Sequence, residues 1–247
     1  MHNRILYKKL FFRSLELLPY NMRFRVNKSL YRNKYSRAQN LRTKVAKIDE
    51  TSLKGFDELK CIYVHIPKVA GISINRALFG NLGGSHRSIF DYSLIFKQSE
   101  FNSYYKFTFV RNPWDRILSA YLFLKAGGVN EFDEYWSKKY LSRFSSFQEF
   151  VTNWVNKKNI EKEMHFIPQY KFISINNKIA VDDIYKLETI TYDFSVICRK
   201  LGIENRLQVL NRNKNKNKNY RDSYNDDTKN IVAEVYKKDI ETFNYQF

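Results

Sequence analysis

The stretch FTFVRNPWDRILSAY, residues 107–121, contains an apolar run, a turn and the beginning of a helix. Phe107 to Val110 predicts a buried strand. Asn112 is a good N-cap, Pro113 suits the first helical position, and the apolar residues that follow recur with helical spacing. Arg111 therefore stands where the strand ends, at the edge where open α/β sheets bind ligands.

A second stretch, CIYVHIPKVAGISI at residues 61–74, repeats this architecture. Cys61 to Ile66 predicts a buried strand, Pro67 ends it, and a helix is expected to begin near Ser73. The open N–H groups and the dipole at such a helix start favour an anion, and glycine at position 71 lets the backbone approach a ligand closely. The candidate phosphate ligands of this stretch are Lys68, Ala70, Gly71, Ile72 and Ser73.

Together, the two stretches predict a site for a ligand that carries phosphate at two ends. Arg111 can hold one phosphate through two parallel hydrogen bonds. Ser119, two turns into the second helix, can add a hydroxyl group if its face borders the ligand. In the phosphate loop of kinases, the lysine follows the last glycine and precedes the Ser or Thr that holds magnesium. Here Lys68 precedes Gly71, so a P-loop-type kinase of a small metabolite is the disfavoured alternative.

The two motifs resemble those of a known family. KVAGIS at residues 68–73 resembles the 5′-phosphosulfate loop of the family 2 carbohydrate sulfotransferases, and RNPWDRILS at residues 111–119 resembles their 3′-phosphate motif. The donor in that family is 3′-phosphoadenosine-5′-phosphosulfate (PAPS), and the resemblance implies that Lys68, Arg111 and Ser119 contact it. The first motif departs from the family at Ile72, where Thr is usual, so one side-chain hydrogen bond is lost while the backbone N–H remains.

The resemblance runs from about residue 59 to the C-terminus and includes HFIPQ at residues 165–169 and YKLE at residues 185–188. The strand and helix pattern predicts a three-layer, P-loop-like α/β domain with a mostly parallel central sheet flanked by helices. The resemblance implies transfer of a sulfuryl group to a hydroxyl of a carbohydrate, either a polysaccharide or a lipid-linked glycan. In-line displacement of this kind requires no metal, and Lys68 is suited to neutralise the charge of the leaving oxygen.

Two histidines compete for the role of general base. His86 follows the first helix by a short glycine-containing connection and can reach the sheet edge beside Lys68, and a neutral imidazole has a suitable pKa. Related polysaccharide sulfotransferases place a catalytic histidine in a comparable stretch, which supports His86. His165 is the alternative base, and the resemblance also assigns His165 and Gln169 to the acceptor wall. His65 lies in a predicted strand and is interpreted as a core residue.

Composition indicates one globular domain. A chain of 247 residues with 43% hydrophobic and 17% aromatic residues can bury one substantial core. We predict a catalytic domain at residues 51–247 and a basic extension at residues 1–50. Cys61, Cys198 and four scattered histidines indicate neither a disulfide framework nor a metal centre. No apolar stretch approaches bilayer-spanning length and the N-terminus lacks a signal-peptide core, so a cytoplasmic location is expected.

The formal charge of +18 is concentrated in the extension, since residues 1–48 contain thirteen Lys or Arg and one acidic residue, a net +12. Residues 5–18 mix apolar and basic side chains in an amphipathic pattern. Contact with the inner surface of an anionic membrane is one interpretation, and packing on the domain or a partner is the other. A basic scaffold or nucleic-acid-binding protein is disfavoured because no nucleic-acid motif accompanies the charge. The Asn/Lys-rich residues 211–221 predict a solvated loop.

Overall fold

The structure is a computed structural model that describes residues 15, 17–30, 32–204, 207 and 219–247. The predicted amphipathic pattern at residues 5–18 and the predicted loop at residues 211–221 lie largely outside the described residues. Helices and strands follow one another along nearly all of the described chain. In chain order they are α1 (Tyr20–Leu30), α2 (Arg32–Thr43), α3 (Lys54–Glu58), β1 (Cys61–Val64), α4 (Gly71–Phe79), α5 (Ile89–Ser93), α6 (Gln98–Ser103), β2 (Tyr105–Val110), α7 (Pro113–Lys125), α8 (Glu131–Trp136), α9 (Phe147–Trp154), α10 (Tyr170–Ile173), β3 (Ser174–Ile175), β4 (Lys178–Ile179), β5 (Asp183–Lys186), α11 (Ile190–Leu201), α12 (Asp226–Val235) and α13 (Lys237–Phe243).

The central sheet is parallel and has the order β1-β2-β5. In the middle strand β2, Tyr105 lies opposite Cys61, and Phe107 lies opposite both Tyr63 of β1 and Asp183 of β5. A separate antiparallel pair is formed by β3 and β4. The sheet with its flanking helices confirms the predicted α/β fold. Because all three central strands run the same way, the loops that follow β1 and β2 emerge at one edge of the sheet.

Most of the buried apolar side chains belong to two clusters. The sheet core contains the strands β1 and β2 together with side chains such as Phe56 and Phe194. The helical core is built from α7, α8, α9 and α12 and contains Trp114 and Phe166. Helix α7 begins directly after β2 and turns its buried face toward the helical core. The loops at the sheet edge are therefore held between two packed units.

The C-terminal segment forms two short helices in succession. The chain breaks at Tyr236 (φ −105°, ψ 19°), where α12 ends and α13 begins. The hydroxyl of Tyr236 donates to the carbonyl of Phe166 over 2.7 Å. The break directs the buried carboxylate of Asp239 toward the N–H groups of Gln169 and Tyr170, at 2.7 and 2.9 Å. The break is thus accompanied by tertiary hydrogen bonds, which no local pattern in the sequence indicates.

The described part of the basic extension packs against the domain. The hydroxyl of Tyr20 donates to the carbonyl of Phe96 over 2.9 Å, and the side-chain amide of Gln39 donates to the carbonyl of Ile95 over 2.7 Å. Ala38 is buried in the sheet core. None of the helices in the described part of the chain is long and apolar enough to cross a membrane. Helices α1 and α2 therefore pack against residues of the predicted catalytic domain.

Arg42 joins α2 to the domain, and its loss should destabilise the fold. Its guanidinium donates to both carboxylate oxygens of Asp57, at 2.8 and 2.6 Å, and lies 3.0 Å from Glu100. In Arg42→Ala, these two partly buried carboxylates lose their cation, so the free energy of unfolding should fall by about 2 kcal/mol. Urea denaturation measures this. Arg37→Ala, an exposed position on the same helix, is the control and should match the wild type; equal stability of the two variants would contradict the docking of α2.

Candidate active site at the carboxyl edge of the sheet

The loop between β1 and α4 has an unusual backbone. Lys68 and Ala70 adopt left-handed conformations with φ of 70° and 60°, which cost non-glycine residues on the order of 1 kcal/mol each. Helix α4 begins at Gly71, two residues before the predicted start, and its first hydrogen bond runs from the N–H of Ile74 to the carbonyl of Ala70. The N–H groups of residues 71–73 precede that bond and point out of the helix end. Such a strained loop before a helix start suits an anion.

Glycine at position 71 allows the His65 ring to pack against the backbone. A Cβ atom at this position would lie 1.7 Å from Cδ2 of His65, so only glycine leaves room for the imidazole ring. His65 is buried, its Nδ1 lies 3.3 Å from the side-chain amide nitrogen of Asn75, and burial lowers the pKa of His65 well below its ordinary value. The ring is therefore neutral and supports the start of α4. The packing of His65 is thus one reason for glycine at position 71, and the close approach of a ligand stays a prediction.

Lys68 lies at the centre of the site. Its ammonium nitrogen lies 3.8 Å from the centroid of the Phe123 ring. Desolvation by burial, assisted by the nearby charge of Arg111, lowers the pKa of Lys68 to about 8, against the opposing effect of Asp133. Apolar surroundings and a neighbouring cation both disfavour the charged ammonium. A phosphate or sulfate group beside the ammonium would favour the charged form.

Arg111 connects the two predicted phosphate loops. Its Nε and Nη2 atoms donate to the two carboxylate oxygens of Asp115 over 2.7 and 2.8 Å, and Nη1 donates to the carbonyl of Lys68 over 3.1 Å. Three of the five N–H donors of the guanidinium are thus used, which fixes its orientation and leaves two for a ligand. Ser119 lies half-buried one turn beyond Asp115 on α7.

Gln169 braces the backbone of Arg111. It is fully buried, its side-chain nitrogen donates to the carbonyl of Arg111, and its side-chain oxygen accepts the N–H of Arg111, each over 2.9 Å. The backbone N–H of Gln169 in turn donates to Asp239, whose pKa is raised by burial. Both ends of the amide are therefore occupied within the protein. The predicted place of Gln169 in the acceptor wall has no support from this geometry.

Arg116 is a functional residue that the sequence interpretation missed. It is the largest fully buried side chain among the described residues. Its Nε donates to the carbonyl of Pro67 over 3.2 Å, and its Nη2 donates to the carbonyls of His165 and Ile167 over 3.2 and 2.7 Å. The guanidinium thus ties the loop after β1 to the HFIPQ segment. Two of these carbonyls, those of Pro67 and His165, lie 49 residues away in the chain, so no local pattern in the sequence indicated this role.

His86 is held as a neutral imidazole with a defined tautomer. Its Nδ1 lies 3.0 Å from the carbonyl oxygen of His65, and because a carbonyl only accepts, Nδ1 carries the proton and Nε2 carries the lone pair. Burial lowers the pKa of His86 to about 4, with His165 and Lys68 acting in the same direction and the carbonyl and Asp133 opposing them. The ring centroids of His86 and His165 are 6.3 Å apart. The structure therefore brings both predicted histidines to the side of Lys68.

His165 lies in a cluster of acidic groups. Its Nδ1 is 2.7 Å from Oε1 of Glu163, and its ring centroid is 5.1 Å from that of Phe123. Together with Asp133, these side chains place three potential ligand atoms within 4.8 Å of one another. The contact with Glu163 orients the imidazole of His165, so this pair can also act as a base. The same carboxylates and imidazole can also bind a cation. That the reaction needs no metal therefore stays a prediction.

Comparisons with known proteins identify the family of the chain. The sequence profile of the sulfotransferase family matches residues 51–246, which include both phosphate loops, His86 and His165. An uncharacterized protein of Archaeoglobus fulgidus is 34% identical over 110 residues, which cover 44% of this chain and 77% of that protein. No solved structure matches the chain. The family match confirms the resemblance that the two motifs predicted.

Removal of the Arg116 guanidinium should destabilise the fold, because it removes the link between two segments of the site. In Arg116→Met, the carbonyls of Pro67, His165 and Ile167 lose a shared donor in a buried place, and the free energy of unfolding should fall by about 3 kcal/mol in urea. Arg143→Met, at an exposed position, should leave stability unchanged. Wild-type stability of Arg116→Met would show that the two segments are held by other contacts.

Proposed function

The chain belongs to the sulfotransferase family, and from that premise we propose that it transfers a sulfuryl group from PAPS to a hydroxyl of a carbohydrate. Enzymes of this family transfer sulfuryl groups. The supporting observation is the link between two anion sites, in which Arg111 donates to the backbone carbonyl of Lys68. PAPS carries a phosphosulfate at its 5′ end and a phosphate at its 3′ position, so it requires two such sites at a fixed spacing.

In this proposal, the loop after β1 receives the 5′-phosphosulfate. The N–H groups of Gly71, Ile72 and Ser73 donate to its oxygens, and the ammonium of Lys68 neutralises the charge that grows on the oxygen bridging phosphorus and sulfur. Preorganised donors of this kind provide most of the catalysis in transfers that need little covalent chemistry from the protein. The side chain of Ile72 makes no hydrogen bond in this role, and the backbone N–H is sufficient.

The start of α7 receives the 3′-phosphate. The two remaining N–H donors of Arg111 bind the phosphate, while Asp115 keeps the guanidinium in position. Ser119 adds its hydroxyl from the next turn of the same helix. Gln169 fixes the backbone from which the Arg111 side chain extends.

The acceptor hydroxyl attacks sulfur in line with the bridging oxygen. An oxygen–sulfur bond forms to the acceptor, the bond from sulfur to the bridging oxygen breaks, and the hydroxyl proton moves to Nε2 of His86. Since Nδ1 of His86 is committed to the carbonyl of His65, Nε2 is the available base. His165 with Glu163 is the competing base. The carbohydrate acceptor rests on the resemblance of the motifs.

The proposal includes a cytoplasmic enzyme that touches an anionic membrane surface. Residues 17–48 contain nine basic and no acidic residues. Helices α1 and α2 expose Arg25, Lys28, Arg32 and Arg37 to solvent. Basic side chains near an anionic lipid surface contribute on the order of 1 kcal/mol each.

The pH dependence of donor binding tests the role of Lys68. Binding of 3′,5′-adenosine bisphosphate (PAP) should be tight below pH 8, where the ammonium is charged, and should weaken as the pH rises through the pKa of about 8. Because the bound anion raises that pKa, binding takes up a proton, and affinity should fall by up to about tenfold per pH unit. Titration calorimetry from pH 7 to 9.5 measures this. Lys68→Arg stays charged and should bind with little pH dependence; a parallel decline in both proteins would exclude Lys68.

The base assignment has its own test. Sulfuryl transfer is measured with labelled PAPS and a screen of glycan acceptors. In this assay, His86→Asn should lower the rate by about a hundredfold to ten-thousandfold. PAP affinity in calorimetry should stay close to wild type, because the imidazole acts on the acceptor. The comparison variant is His165→Asn, which should cost less activity. If His165→Asn alone abolishes transfer, the base is His165.

A further inference from the structure

His65 has a ring nitrogen without a hydrogen-bond partner beside the first phosphate loop. The residue is only 7% exposed, and its Nδ1 lies 3.3 Å from the side-chain amide nitrogen of Asn75. Its Nε2, by contrast, makes no hydrogen bond to any other residue in the described part of the chain. Polar atoms of buried side chains normally have a partner, so the unpaired nitrogen requires an explanation. The roles proposed above for His86 and His165 leave it unused.

The contact with Asn75 defines the tautomer of His65. An amide nitrogen only donates, so Nδ1 of His65 is the acceptor and the ring proton is on Nε2. Burial and, after it, the nearby His86 lower the pKa of His65 well below its ordinary value, so the ring carries no charge. This tautomer is the reverse of that of His86, whose Nδ1 carries the proton. Nε2 of His65 is therefore a neutral N–H donor.

The start of helix α4 lies directly beside this donor. A Cβ atom at Gly71 would be 1.8 Å from Nε2 of His65 and 1.7 Å from Cδ2, so this edge of the ring lies against the first residue of the helix. Asn75, one turn later on the same face of the helix, holds Nδ1. The donor thus lies at the helix end where the backbone N–H groups of residues 71–73 have no partner within the helix.

The two faces of the His65 ring are also in contact with other rings. The ring of Tyr63 is stacked at an angle of 13° with 6.0 Å between centroids, and the His86 ring lies 4.2 Å away. Together with Gly71 and Asn75, these contacts fix the ring in one position. A donor fixed in this way is already oriented before a ligand binds.

We propose that Nε2 of His65 donates a hydrogen bond to an oxygen of the anion that binds at the start of α4, so that His65 is a further donor-binding residue. The inference rests on the proposed sulfuryl transfer and deepens it, because the anion there is the 5′-phosphosulfate of PAPS. A neutral donor suits this place, since Lys68 and Arg111 already bring two positive charges close to one another. A third cation would disfavour the charged form of Lys68 further.

The first test uses NMR of the wild type with isotope-labelled histidine rings. His65 should carry its proton on Nε2 and His86 on Nδ1, and through-bond correlation to the backbone assigns the signals. Saturation with PAP should shift the Nε2–H signal of His65. Adenosine 3′-monophosphate, which lacks the 5′-phosphate, should leave it close to its position in the free protein. A proton on Nδ1 of His65, or equal signals with the two ligands, would overturn the proposal.

The second test separates a hydrogen bond from packing. His65→Asn keeps a polar group near the position of Nδ1 but has none at Nε2, and its PAP affinity in calorimetry should fall by about tenfold or more. The longer amide of His65→Gln places an N–H near the position of Nε2 and should recover most of that loss. Both variants should bind adenosine 3′-monophosphate as the wild type does. Equal weakening of PAP binding in both folded variants would assign His65 to packing alone; if a variant fails to fold, the NMR comparison decides.

The same measurements separate this inference from the identity of the donor. If PAP does not bind to the wild type, the proposed donor is wrong, and inorganic phosphate replaces PAP as the probe in the NMR experiment. A shift of the Nε2–H signal of His65 on addition of phosphate would then support the anion contact. The absence of that shift would overturn it.

Discussion

The buried guanidinium of Arg116 is the interaction on which the site depends. It lies between the sheet core and the helical core and donates to carbonyls from the loop after β1 and from the HFIPQ segment. Lys68 follows the first of these carbonyls directly, and the base candidate His165 supplies the second. A single side chain on α7 therefore sets the distance between the donor loop and one of the two histidines. Burial lowers the pKa of Arg116, and interaction with Tyr236 and Asp239 partly opposes this shift.

The electrostatics of the site show what kind of ligand it accommodates. Burial and, after it, the nearby charge of Arg111 lower the pKa of Lys68, and no acidic side chain pairs directly with the ammonium among the described residues. The acidic groups lie to either side, with Asp115 on Arg111 and Glu163 on His165. The arrangement separates a cationic region, which suits the proposed polyanionic donor, from a carboxylate and imidazole region, which suits the proposed hydroxyl acceptor. Both regions lie at the same edge of the sheet.

Local signals in the sequence predicted the strands β1 and β2, the start of α7 and, to within two residues, the start of α4. Asn112 caps α7 as expected, because its side chain accepts the N–H of Trp114 two residues later. The roles of Arg116, Gln169 and Asp239 escaped prediction because their partners lie about 50 to 70 residues away in the chain. The proposed donor comes from the motif resemblance, since hydrophobic periodicity carries no information about a ligand.

The central claim is that one ligand is held at two phosphorylated ends, and the most direct measurement is a comparison of PAP with adenosine 5′-monophosphate, which lacks the 3′-phosphate. Titration calorimetry of the wild type and of Arg111→Ala with both ligands gives four affinities. The account predicts that the wild type prefers PAP and that Arg111→Ala loses about tenfold to a hundredfold in PAP affinity, with little change for the monophosphate. Equal weakening of both ligands in Arg111→Ala, or equal affinity of the wild type for the two, would contradict it.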